Sequence, residues 1–126
     1  MLCYIWFMQT PSPEDMYRLL IPAEILEHYE ISGLTERETD ITVVLTEKAS
    51  NIPVVLHGKE VVLNGFLNKL ELQGFPIQAK SFYLQLIRRR WKEQGSSEAS
   101  YHNEYDFAAA GTKATKAFGA FLKDNF

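Results

Sequence analysis

The chain has 126 residues, 46% of them hydrophobic and 23% charged, with a net charge of −3 at neutral pH. That length supports one core of ordinary size, and the composition excludes a disordered chain. A negative total also excludes a protein that coats nucleic acid over its whole surface. The charge is unevenly divided, however: residues 1–75 carry five Lys/Arg against eleven Asp/Glu (−6), and residues 76–126 carry eight against five (+3). Any polyanion would therefore meet the second half.

Met1-Leu2-Cys3-Tyr4-Ile5-Trp6-Phe7-Met8 is oily, but it lacks the basic leader of a signal peptide and is too short to cross a bilayer. Two readings remain open: a strand that docks on the core, or a start set early, with Met8 the true one. Residues 1–11 are taken as an extension and 12–126 as one domain. Cys3 stands alone, which rules out an internal disulfide or a thiolate-rich zinc site and fits a reducing cytoplasm.

Ser12-Pro13-Glu14-Asp15 predicts a helix start, with Ser12 as N-cap and acids near the positive end of the dipole. Met16, Tyr17, Leu19 and Leu20 give this helix a buried face. Pro22 interrupts it and opens a second turn that turns Ile25, Leu26 and Tyr29 inward. Gly33 closes the region. Thr39–Glu47 then alternates Ile41, Val43 and Leu45 against Thr42, Val44 and Thr46, as a half-buried strand does.

Ala49–Pro53 reads as loop, and Val54–Leu56 and Val61–Leu63 flank His57-Gly58-Lys59-Glu60 as a hairpin or a flexible loop. Leu67–Gln73 predicts a strand, Gly74-Phe75-Pro76 a turn, and Ser81–Lys92 one long strand. Gln94–Asn103 is polar and reads as a mobile loop, with a short strand returning at Tyr105–Phe107. Gly111-Thr112 starts the last helix with Thr112 as N-cap. At about 100° per residue its Ala114, Ala117, Phe118, Phe121 and Leu122 share one face, and Lys113, Lys116 and Lys123 another. The expected class is α+β: short N-terminal helices, an antiparallel sheet (a meander of about four or five strands) and a C-terminal helix.

Arg88-Arg89-Arg90-Trp91-Lys92 is the sequence's most unusual feature. Adjacent guanidiniums repel, so their natural complement is anionic: carboxylates of the same fold, or phosphates of a partner. One reading is a charged strand end that prevents edge-to-edge aggregation. The other is a phosphate-binding ridge with Trp91 available for stacking, extended by the lysines of the last helix. The residues alone favour the first. His28, His57 and His102 have no i+3 or i+4 partner, so no helical metal site is written. The acids between Glu27 and Glu47 are accounted for by capping and solvated faces.

A resemblance shifts this balance. Gly65-Phe66, then Phe75-Pro76-Ile77 with Lys80, then Tyr83-Leu84 running into Arg88-Arg89-Arg90-Trp91, resembles the short N-terminal-region proteins of bacterial insertion-sequence transposases. Gly111-Thr112-Lys113 with Phe118 and Ala120-Phe121-Leu122-Lys123 extends the similarity, which is weaker at Leu19-Leu20-Ile21-Pro22 and Ile25-Leu26. In that family the corresponding segment is a zinc-ribbon-like module ahead of a helix-turn-helix and a nuclease domain. Here the paired cysteines are missing, and Ala79 and Lys113 stand where Gly and Arg are expected.

The resemblance implies a non-catalytic accessory domain, without metal or cofactor, that helps bind the element's terminal inverted-repeat DNA. Arg88, Arg89, Arg90, Trp91, Lys92, Lys113, Lys116 and Lys123 are the residues assigned to that DNA. An alternative from another class is a module that dimerises or docks the separately encoded catalytic subunit without touching DNA. A free-standing enzyme ranks third.

Overall fold

A computed structural model describes residues 18–96, 100–108 and 113–125. Its centre is set by β2 (Asp40–Glu47) and β5 (Lys80–Ile87), where every second residue is a large aliphatic or aromatic. A pleated strand sends alternate side chains to opposite faces, so these residues share one side. Ile41, Val43 and Leu45 face Phe82, Leu84 and Leu86 in parallel register, and all six are buried. Full burial of such side chains contributes about 1.5–3 kcal/mol each.

The flanking strands are β1 (Tyr29–Glu36) and β4 (Leu70–Ile77), both antiparallel to their neighbours, giving the order β1-β2-β5-β4. A separate ribbon pairs β3 (Val61–Phe66) with β6 (Arg89–Glu93). The apolar side of the four-stranded sheet is covered by Ile21, by Ile25 of the short helix α1 (Ala23–Leu26), and by Tyr105 and Phe107. The opposite side stays open and polar, with Thr42, Tyr83 and Gln85 in a shallow cleft. The last helix, α2 (Lys116–Asn125), rests on β4 through edge-to-face contacts of Phe118 and Phe121 with Phe75, with ring centroids 5.1 and 5.5 Å away. Among the described residues no helix is long and apolar enough to cross a membrane.

The α+β class and the burial of Ile25 and Tyr29 are as the sequence indicates, but Tyr29 begins β1 instead of continuing the helical turn. Several details differ. The central pair is parallel, which a meander does not contain, and residues 48–79 form the connection that parallel strands require. Gly33 lies within β1, beside a bulge that displaces Ser32. Leu19 and Leu20 are exposed rather than inward, while Met16, Tyr17 and the Ser12 cap fall outside the described residues. Val54–Leu56 is a single 3-10 turn, and Val61–Leu63 pairs with β6 instead of forming a hairpin with it.

Gly74-Phe75-Pro76 is not the turn but the last part of β4. Gly74 is needed there because a Cβ would come within 2.9 Å of the Phe82 ring. The turn is Gln78-Ala79, with φ of 49° and 67°. Tyr105–Phe107 forms no strand and packs as irregular chain. Helix α2 begins at Lys116, so its cap is Thr115, whose Oγ1 accepts the Phe118 N–H at 3.3 Å, whereas Thr112 lies outside the described residues.

A two-residue hairpin turn with positive φ at both positions favours glycine at the second. Ala79 holds that place against a left-handed cost of about 1–2 kcal/mol, while glycine would cost roughly 0.5–1 kcal/mol in unfolded-state entropy. Ala79→Gly is therefore expected to raise stability by about 0.5 kcal/mol, read as a higher urea midpoint at unchanged slope.

Candidate functional site

The arginine run sits where the chain passes from one sheet to the other. β5 ends at Ile87, Arg88 belongs to neither strand, and β6 starts at Arg89, so the expected long strand is bent at Arg88 into two. All three arginines are half-buried. The Arg89 main-chain N–H donates to Glu47 Oε1 at 2.9 Å, and its Nε donates to the Glu47 carbonyl at 2.7 Å. Its guanidinium carbon lies 5.7 Å from the Phe66 ring centroid, within cation–π range.

Arg90 turns to the ribbon, where its Nε donates to the Asn64 carbonyl at 2.9 Å. Its guanidinium lies against Gly65, and a Cβ there would stand 3.0 Å from it. Gly65 also has φ of 82°, so both the space and the backbone call for glycine. Arg88 Nε is buried with no hydrogen-bond partner among the described residues, as are Tyr29 Oη and Trp91 Nε1. Trp91 is 7% exposed and its main chain is paired in both directions with Tyr101, so the ring packs instead of being displayed. Lys92 is half-buried opposite Val62.

Beneath this joint lies a carboxylate that the sequence reading treated as solvated. Glu47 is 0% exposed. Its position follows from phase: it continues the inward series Ile41, Val43, Leu45. Its Oε2 accepts from Asn103 Nδ2 at 2.9 Å and from the Tyr105 hydroxyl. Asn103 Nδ2 also donates to the Asn51 carbonyl at 2.6 Å. Asn51 Nδ2 in turn lies 3.2 Å from the Tyr105 oxygen and 3.1 Å from the His28 carbonyl. One acid thus collects β2, β6 and the 103–105 segment. The visible signal was an acid at an inward position of an alternating strand; Asn51 and Asn103 gave none.

Around it, two phenols hold their protons tightly. Burial pushes Tyr29 well above the ordinary value of 10.0, helped by Glu47 and Tyr105 and opposed by Arg88. Burial also raises Tyr105, seconded by its hydrogen bond to Glu47, while Asn51 opposes.

The lysines lie elsewhere. The Lys113 carbonyl accepts from Gln73 N at 2.8 Å, placing it on the edge of β4 near Gly74, with its side chain exposed. Lys116 is exposed and stands 3.5 Å from Asp106. Lys123 is exposed in the last turn of α2. Gly74 pairs with Phe82, and from Phe82 to Arg88 the strand runs roughly 20 Å. The arginines therefore follow the C-terminal end of β5, whereas the segment leading into the lysine helix meets β4 level with the middle of β5. No group of three His, Cys, Asp or Glu side chains converges to hold a metal among the described residues.

Replacing Glu47 by Ala takes the acceptor from the Arg89 N–H and the Tyr105 hydroxyl and one of two acceptors from Asn103 Nδ2, and is expected to cost about 3 kcal/mol in urea unfolding. Glu47→Gln keeps one acceptor oxygen and should cost less. Tyr29 and Tyr105 bind their protons more tightly folded than unfolded, so their contribution is whole below about pH 10 and is lost as pH rises through the raised folded values. The urea midpoint should fall as pH rises above about 10, and Tyr105→Phe should flatten that fall.

Compared with known proteins, the chain matches no family model, no curated protein and no solved structure.

Proposed function

We propose that this domain is a non-catalytic accessory module of a transposase, that it docks the separately encoded catalytic polypeptide, and that Arg88, Arg89 and Arg90 join its two sheets rather than gripping DNA. One observation carries the reading: Arg89 and Arg90 are each anchored at the joint by an Nε–H that donates to a main-chain carbonyl, of Glu47 and Asn64 respectively. Guanidiniums tied down in two different directions do not line up as a phosphate ridge. The transposase setting rests on the resemblance of the Phe75-Pro76-Ile77, Tyr83-Leu84 and Arg88–Trp91 segments. The acidic first half offers a basic nuclease an electrostatic complement, which speeds encounter and orients it.

The test uses the catalytic polypeptide encoded by the adjoining reading frame and a duplex bearing the element's terminal repeat. Capture of that polypeptide should persist after nuclease treatment. Duplex binding should be weak and should not fall steeply between about 50 and 200 mM salt. Because Arg88, Arg89 and Arg90 are built into the fold, replacing them would confuse unfolding with lost contact. The informative variant changes Lys92, Lys113, Lys116 and Lys123 to Ala. Tight, salt-steep duplex binding that this variant loses while remaining folded would restore the DNA reading and overturn the docking one.

A further inference from the structure

Of the four outer sheet edges among the described residues, two are covered and a third is guarded. The edge of β4 is occupied by the 113–115 segment, through Gln73 N to the Lys113 carbonyl at 2.8 Å and Thr115 N to the Gln73 carbonyl at 2.9 Å. The outer edge of β6 is occupied by Tyr101, through both main-chain bonds with Trp91. β1 carries a bulge at Ser32 and the exposed acids Glu30 and Glu36, which are the usual guards against pairing. Among the described residues β3 has neither a covering segment nor a charge: it reads Val-Val-Leu-Asn-Gly-Phe, with Leu63 41% and Phe66 47% exposed.

The direction of its free backbone groups follows from the ladder. Both main-chain groups of Trp91 point to Tyr101, so the Leu63–Trp91 pair is of the non-hydrogen-bonded kind. The N–H and C=O of Leu63 therefore point away from β6. By alternation those of Val61 do the same, while Val62 faces inward to Lys92.

We infer that β3 pairs antiparallel with β3 of a second copy of this chain, making a continuous ribbon in the order β6-β3-β3-β6. The two-fold axis passes by Val62. Val61 of each copy then faces Leu63 of the other and exchanges both main-chain bonds with it, so four free donors and four free acceptors are matched. In this register Glu60 meets Asn64 and Lys59 meets Gly65, so no like charges oppose each other across the new seam. The bulge between Leu63 and Phe66 ends the pairing. The contact is self-complementary, as a closed two-fold dimer requires. It deepens the docking reading by naming a first partner, the chain itself.

The test is sedimentation of the whole chain over a range of concentrations, read together with amide exchange. A reversible dimer is expected, and the Val61 and Leu63 amides should gain protection as it forms. The Val62 amide, already paired with β6, should not change. Leu63→Pro removes only an outward N–H, so the ribbon's own ladder is kept. With two bonds lost, one per copy, it should weaken the dimer about tenfold or more at an unchanged circular dichroism spectrum. A chain that stays monomeric throughout, or a dimer that folded Leu63→Pro leaves intact, overturns the inference. Capture of the catalytic polypeptide by Leu63→Pro is scored separately: its retention keeps the docking reading when self-pairing fails, and its loss in a monomer with native spectrum marks the failure of docking itself.

Discussion

The structure depends on one buried carboxylate. Glu47 sits at the end of a central strand, facing the core, where an unpaired charge would be costly. It is tolerated because a main-chain N–H of β6, an amide of Asn103 and the Tyr105 hydroxyl surround it. Those same bonds fix where β6 begins and where the 103–105 segment crosses the sheet. The acid therefore acts as a geometric peg: the apolar side chains supply most of the drive to fold, and Glu47 selects which segments meet at this corner.

The arginines have meaning in relation to that peg. Along β5 the inward positions are Phe82, Leu84 and Leu86, so Arg88 follows them in phase just where the sheet ends. Arg89 and Arg90 then diverge, one toward β2 and the other toward the ribbon. A run that looks like a single cationic block in sequence is thus divided three ways in space. Divergence also relieves the mutual repulsion that three adjacent guanidiniums would feel if they projected together.

What was legible in the sequence was local. The alternation in 41–47 and 82–86 gave the two central strands and their inward faces, and Pro22 with Ile25 gave the short helix. Pairing was less legible, because a strand's pattern states which side is buried but not which neighbour lies beside it. Hence β2 and β5 were not seen as parallel partners. Glycine and proline at 74–76 suggested a turn, although Gly74 is there to make room for Phe82 and the real turn uses Gln78-Ala79. At the candidate site, the composition of the arginine run was plain, but its direction was not, since Glu47 and Asn64 are distant in the chain.

The parallel centre has a consequence for how the chain is made. Ile41 meets Phe82, a partner about forty residues later. During synthesis β2 therefore leaves the ribosome with an oily face and waits for the rest of the crossover. Loop closure over that distance must precede any reward from the contact, which slows this step relative to the local β1–β2 and β4–β5 pairings. The interval before β5 emerges is when a chaperone would find the most to hold.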